Sequence, residues 1–186
     1  VSGVVGALRA SLGAALLAVE DGFGPVTVDV EPGEWVAALR AASDAGATYF
    51  DFLTAYDLEA EGFAVVAHVA TPDAGEHVLV RTRVPRDEPS LATATPVFRG
   101  ASWHERETAE MFGVAFTGHD GLEPLLLSPT APRTPLRKDV VLVERPSRPW
   151  PGEKDPTDSG GSGRRRRVLP PGVPADWPTA TGGGDA

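Results

Sequence analysis

The chain has 186 residues, a net charge of −9, 21 glycines, 18 prolines and no cysteine. That length suits one domain of ordinary size with a tail, and the lack of cysteine excludes disulfides, zinc–thiolate sites and cysteine-held iron–sulfur clusters within it. Residues 1–80 carry twelve acidic and two basic side chains, residues 81–145 nine of each, and residues 146–186 six basic and five acidic; the acidic front half disfavours nucleic acid as a partner.

Val4 to Val19 is rich in Ala and Leu with few breakers and predicts a first helix. Its apolar part, Gly13 to Val19, runs at once into Glu20-Asp21 and is far short of the roughly 20 residues needed to span a bilayer. The N-terminus lacks a basic stretch ahead of an apolar one, so no secretory signal is expected and the chain is read as soluble and cytosolic. Val26–Val30 alternates and is β-branched, a short strand. Glu31-Pro32-Gly33-Glu34 opens a second helix, with Trp35, Val36, Leu39 and Ala42 on one face and Gly46 at its end. Strands follow at Tyr49–Thr54, Phe63–Ala70 and His77–Val84, joined by hairpin-like links at 57–62 and 71–76. Arg81 and Arg83 make alternate positions of the last strand polar, so one of its faces should meet solvent or a partner. Pro85 to Ala94 reads as a loop or short helical turn.

Ser102 begins a capping-box pattern with Glu105, and the helix it starts should end near Met111, ahead of Gly113. Glycine and proline dominate from Thr117, with one late strand expected at Val140–Val143. The expected architecture is α+β: helices on a small mixed or antiparallel sheet over residues 1–145, then a Pro/Gly-rich tail over 146–186, either disordered or ordered by lying on a partner.

The chemistry-bearing residues concentrate in Ser102–Leu127. Glu105, Arg106 and Glu107 are consecutive, and Glu110 follows. On a helix Arg106 and Glu110 are placed to pair, whereas Glu107 and Glu110 repel unless a cation lies between them. Two readings are open: a paired-carboxylate acid–base site, or an ion-pair network locking the helix to its own sheet or to a neighbouring subunit. The second is favoured, because no nucleophile, ligand set or phosphate loop accompanies the acids. Met111-Phe112-Gly113-Val114-Ala115-Phe116 reads as a helix end packed on the sheet in preference to a redox-cofactor pocket. His119, after Gly118, is expected to bond locally; His104, in the first helical turn, suits a neutral, hydrogen-bonded role. His68, His77, His104 and His119 share no metal-ligand spacing. Arg137-Lys138-Asp139 is expected to pair with carboxylates of this or another subunit in preference to binding phosphate. The run Arg164–Arg167 would suit nucleic acid in isolation, but reads as solvated or docked on an acidic partner.

The order Glu-Arg-Glu, two residues, acid, Met-Phe-Gly, then Phe116 and Gly118-His119 resembles the C subunit of proton-pumping NADH:quinone oxidoreductase, respiratory complex I, the family also called the 30-kilodalton subunit. Tyr49–Asp57, with its Leu-Thr-Ala-x-Asp, Phe63–Val69, Val80–Pro85, the lead-in Pro96–Trp103 and Arg137-Lys138-Asp139 are similar to the same family in the same order. The tail segments around Trp150 and Val168–Pro174 resemble actinobacterial versions. Two departures stand out: Glu123-Pro124 occupies the place of the family's basic pair, and Arg133-Thr134 lacks the histidine that commonly precedes Pro-Leu-Arg-Lys-Asp.

The resemblance implies a peripheral-arm protein on the cytoplasmic face of the membrane that binds no cofactor itself. The iron–sulfur clusters, flavin mononucleotide and quinone would belong to partner subunits. It implies packing against the D subunit, which with the B subunit forms the quinone site, and a role in catalysis only through the complex. Glu105, Arg106, Glu107, Glu110, Met111, Phe112, Gly113, Gly118, His119, Arg137, Lys138 and Asp139 would be signature or interface residues, none of them catalytic or metal-binding. The alternative is the homologous component of a membrane-bound hydrogenase or a dehydrogenase fed by another donor. A free-standing hydrolase using Glu105, Glu107 and His119, or a nucleic-acid module using the arginine run, is disfavoured.

Overall fold

The first helix is shorter than the sequence suggests. In the computed structural model, which describes residues 3–141, α1 covers Val4–Leu12 and stops at Gly13, whose φ of 53° lies in the left-handed region open to glycine. After a 3₁₀ turn at Gly13–Ala15, Leu16–Glu20 forms strand β1, antiparallel to β2 at Val26–Val30, with Val19 opposite Val28. Helix propensity is worth only tenths of a kcal/mol per residue. It yields here to a hairpin closed by the glycine-rich link at 21–25, whose ladder gives the backbone groups of both strands partners.

Pro32–Glu34 forms a 3₁₀ turn and α2 runs from Trp35 to Asp44. Trp35, Ala38, Leu39 and Ala42 are buried, with Val36 partly so. Strand β3 extends from Tyr49 to Asp57, three residues beyond the alternating pattern, while β4 (Phe63–Ala70) and β5 (His77–Val84) have the expected bounds. The sheet order is β1-β2-β5-β4-β3. All neighbours are antiparallel except β2 and β5, which run parallel with Val28 opposite Val80. The chain between them, α2 included, makes the crossover a parallel pair requires.

Phe63, Val65, Ala67 and Val69 of β4 point into the core with Val28, Val30, Leu53, Val78 and Val80, and α1 and α2 contribute Val4, Leu8, Trp35 and Leu39 to the same cluster. Fully burying each of the larger side chains stabilises the fold by about 1.5–3 kcal/mol. Strand alternation sends Phe52, Val66, His68, Leu79 and Arg81 to the other face. Arg81 is not a solvated group there: Asp29 on β2 and Glu20 on β1 hold it.

The stretch expected as a loop at 85–94 contains strand β6, Ser90–Ala92, parallel to β7 at Ala115–Thr117. Between them lies α3, Ala101–Phe112, packed against β3. From Gly118 to Val141 the chain has no helix or strand. Val140 and Val141 are therefore not in the expected late strand; the rest of that segment, the tail and Arg164–Arg167 lie outside the described residues.

Candidate functional site: the signature helix and the strap it holds

Helix α3 buries a stripe at Ala101, Glu105, Thr108 and Phe112, the spacing of one helical face. It ends as expected, with Gly113 left-handed at φ 76° and its N–H donated to Ala109 O. Phe112 meets Phe63 edge to face at 6.2 Å, and Phe116 is buried in the same core. Met111 packs partly buried against it. Its start differs from the capping-box pattern. Gly100 is the N-cap and no side chain caps it, because Ser102 lies inside the first turn. Ser102 meets His119 instead: Nδ1 of His119 accepts Gly121 N–H at 3.0 Å, which leaves the ring proton on Nε2 for Ser102 Oγ, 3.0 Å away. His119 thus bonds locally, beyond a left-handed Gly118 (φ 83°). The His104 ring edges on Phe50 at 5.6 Å.

Glu105 is wholly buried. Its carboxylate reaches away from its own helix end to the turn after β6, accepting the Thr93 hydroxyl at 2.5 Å and Ala94 N–H at 2.6 Å. Burial pushes this carboxyl up, against the pull of those two bonds and of nearby His119. Glu107, two residues on, is exposed. The two acids lie on different faces, so they do not form a paired-carboxylate site.

Arg106 and Glu110 do not pair with each other as the helix spacing suggests. Both grip the same strand-less segment. Arg106 donates through Nε to Glu123 O and through Nη2 to Pro124 O, each at 3.0 Å. Glu110 accepts the N–H groups of Leu125, Leu126 and Leu127 at 3.3, 2.8 and 2.9 Å. Burial raises the Glu110 carboxyl, but these three N–H donors and Arg106 outweigh it and hold it below the ordinary range. Segment 123–127 is thus a strap whose carbonyls face a cation and whose amides face an anion. It leaves Leu122 and Leu126 exposed. Trp103, three residues before Arg106 on the helix, is 66% exposed and lies 6.0 Å from the guanidinium.

A second anchor joins Asp57 and Arg137-Lys138-Asp139 through Arg86, which nothing in the sequence singles out. Asp57, at the end of β3, accepts Arg86 Nη1 at 2.7 Å, Glu59 N–H at 2.7 Å and Lys138 N–H at 2.9 Å. Burial opposes ionisation, yet these partners hold the Asp57 carboxyl at about 2. Arg86 also pairs with Asp139 at 2.9 Å, Lys138 with Glu59 at 3.1 Å, and Arg137 lies over the Phe63 ring at 4.8 Å. Lys138 thus meets a carboxylate of its own domain, as expected, whereas Asp139 pairs with a cation and Arg137 stacks on Phe63 and donates to Arg86 O. Leu136 N–H, donated to Met111 O at 3.2 Å, ties this clasp to the helix.

Fold and site define a class: an α+β domain whose mixed sheet carries one signature helix, with two charges of that helix, Arg106 and Glu110, holding the backbone of the strap at 123–127. The same fold is found in Nqo5, solved as its trypsin-resistant fragment, at 25% identity and a TM-score of 0.56 over 63% of this chain and 96% of that one. It recurs in a chain of the membrane-bound sulfane sulfur reductase, an archaeal respiratory membrane complex (23% identity, TM-score 0.62, 68% of this chain and 76% of that one).

The sequence profile of the family described as respiratory-chain NADH dehydrogenase, 30 Kd subunit, matches residues 28–146, and the chain belongs to that family. It is 35% identical over 140 residues to the C subunit of NADH-quinone oxidoreductase from Roseiflexus sp. (strain RS-1), covering 73% of this chain and 80% of that one. It is 43% identical over 82 residues to the C/D subunit of the Photorhabdus laumondii oxidoreductase, covering 44% of this chain and only 14% of that longer protein. The Asp57–Arg86 pair and the Thr93 partner of Glu105 are not legible in sequence. Nothing local marks a pair 29 residues apart, and Thr93 lies in a stretch expected to be an irregular loop.

Proposed function

We propose that this chain acts as the C subunit of a proton-translocating NADH-quinone oxidoreductase, as a non-catalytic part of its peripheral arm on the cytoplasmic face of the membrane. One observation carries the reading: Glu105, Arg106 and Glu110, the charges a catalytic site would need free, are engaged with the chain's own Thr93–Ala94 turn and 123–127 strap. Outward stand Trp103, Leu122 and Leu126, with Glu107 and Glu123 exposed on the same region; a tryptophan is the kind of side chain that anchors protein contacts. Among the described residues no cluster of three or more ligating side chains occurs, and no helix is long and apolar enough to cross a membrane.

The natural partner for that surface is the D subunit, because relatives carry both parts in one C/D polypeptide. The B subunit is the next neighbour expected. On this reading the chain holds no cofactor; the clusters, flavin and quinone sit in its partners, and the chain holds those partners in register for electron transfer. Of the remaining signature positions, Met111, Phe112 and Gly113 serve the helix end, Gly118 and His119 the turn after β7, and Arg137, Lys138 and Asp139 the clasp, while Glu107 is exposed.

The test is a mild-detergent affinity purification of the tagged full chain from its native cells, with mass spectrometry and a quinone-reduction assay. Co-purification of the B and D subunits with inhibitor-sensitive NADH:quinone activity supports the proposal. Recovery with hydrogenase subunits in their place assigns the chain to that related complex. A monomer with hydrolytic activity of its own would overturn both.

A further inference from the structure

The outer face of the sheet carries a row of titratable groups that the signature region does not use. Asp51 is the extra residue of a β-bulge in β3: Phe50 pairs with Val69 and Phe52 with His68, leaving Asp51 unmatched between them. A bulge re-aims a side chain that strict alternation would send elsewhere, and this one places Asp51 beside His68. Asp51 Oδ2 is 2.8 Å from His68 Nδ1, and His68 Nε2 is 3.1 Å from His77 Nδ1 on β5.

The two imidazole planes differ by only 11°, with centroids 5.2 Å apart. Parallel rings that touch nitrogen to nitrogen at that centroid distance meet end to end, so their in-plane nitrogen axes point at each other. That suits a shared proton. It does not suit two lone pairs converging on one metal ion. His68 is 7% exposed with Phe52 against its ring, whereas His77 opens to solvent.

We propose that Asp51, His68 and His77 form a one-proton relay that latches β3, β4 and β5 side by side and carries charge between the exposed His77 ring and the buried His68 ring, which the exposed Asp51 carboxylate holds from its other side. With both rings neutral, the Asp51 carboxylate requires the proton of His68 on Nδ1. His68 Nε2 is then bare and accepts from His77 Nδ1–H. A proton arriving at His77 Nε2 makes that ring cationic. His77 then passes its Nδ1 proton to His68 Nε2, which leaves His77 neutral with the new proton on Nε2 and stores the charge as a His68 cation paired with ionised Asp51. No bond other than N–H is made or broken, and both states keep both hydrogen bonds. A second proton puts N–H on both facing nitrogens, and the His68–His77 bond is lost.

The charged groups around the relay leave this chemistry undisturbed. Arg81, further along β5, is saturated by Asp29 on β2 and Glu20 on β1. Glu76, beside His77, has its carboxylate on the N–H of Val4 at the start of α1. Asp51 is the one acid hydrogen-bonded to either ring among the described residues.

Ring-nitrogen NMR of the full chain, wild type against Asp51→Ala and His77→Gln, with backbone amide spectra as the check of folding, tests the relay. At neutral pH wild type should show both rings as the Nδ1–H form, which is the minor tautomer of free histidine. Asp51→Ala should shift the nitrogens of His77 as well as those of His68, although His77 does not touch Asp51. Should Asp51→Ala fail to fold, His77→Gln decides: His68 then keeps its proton on Nδ1 while its Nε2 resonance moves, having lost the imidazole N–H it accepts. His68 with its neutral-pH proton on Nε2, a His77 ring unmoved by Asp51→Ala, or a His68 Nε2 resonance unchanged by His77→Gln would each overturn the proposal.

Discussion

The five-stranded sheet and the irregular segment 118–141, which includes the strap at 123–127, are held by opposite means. The sheet is a backbone ladder with an apolar inner face, and its strength is spread over many residues, so it tolerates the loss of any one contact. That segment has no ladder. Its backbone groups are met by a few charged side chains sent from α3 and from the sheet's end, Arg106, Glu110 and Asp57, while Arg86 pairs with the Asp139 side chain. Arg106 meets two of the segment's carbonyls and Glu110 three of its amides, so each governs several residues of chain. The difference teaches why a dense charge cluster need not be a catalytic site. Here it is the means by which a segment without secondary structure keeps one conformation.

The largest loss is expected inside the core beneath α3. Glu105→Ala should cost about 3 kcal/mol in urea unfolding, because Thr93 Oγ1 and Ala94 N–H lose their acceptor inside the core; Glu105→Gln, which keeps one acceptor oxygen, should cost about 1 kcal/mol. A shift under about half a kcal/mol for Glu105→Ala would mean the anchor is idle. In the sheet, Gly62→Ala is the corresponding break. Gly62 has φ 100° and an added Cβ would collide with Val84 O, so unfolding should become easier by about 2–3 kcal/mol.

Asp57→Asn sharpens the comparison through pH. The folded Asp57 carboxyl lies at about 2 against an ordinary 3.8. The ionised form is favoured by folding, so its stabilisation is complete above pH 3.8 and is lost as pH falls from there towards 2. Asp57→Asn should flatten that part of the stability curve. Glu105 has the opposite sign: its carboxyl is raised by burial, so its contribution falls as pH rises above the ordinary value of 4.5, and Glu105→Gln should remove that decline. The smallest effect expected is local. Glu110→Gln should speed hydrogen exchange at Leu125, Leu126 and Leu127 by about tenfold, the equivalent of losing charge-assisted bonds, with the exchange of β4 unchanged.

Most of the sheet is legible in the sequence because its strands carry a period of two or, in β4, a near-continuous apolar run buried at every position, and their links carry turn residues; β4 and β5 have the bounds the sequence predicts. The N-terminal helix is overread because Ala and Leu between 14 and 19 favour helix locally, while the pairing of β1 with β2 is a long-range gain no window contains. β6 and β7 are three residues each and pair across α3, too short to leave a pattern. In the site, the sequence poses the choice between a paired-carboxylate centre and an ion-pair network, yet the Arg106–Glu110 pair it suggests does not form. Helix spacing shows which side chains are neighbours. It does not show that a passing backbone offers each of them better partners. The Asp51 bulge is hidden for a related reason, since a bulge breaks the alternation by which strands are read.

The central claim is that the charges of α3 work through the strap to build a partner surface. Arg106→Glu in the tagged full chain tests it most directly, with urea stability of the isolated chain and yield of the co-purified complex measured side by side. The account predicts at least a severalfold loss of complex with a stability change below about 1 kcal/mol, as expected for a partly exposed cation on a segment outside the core. Equal complex yield from mutant and wild type would contradict it.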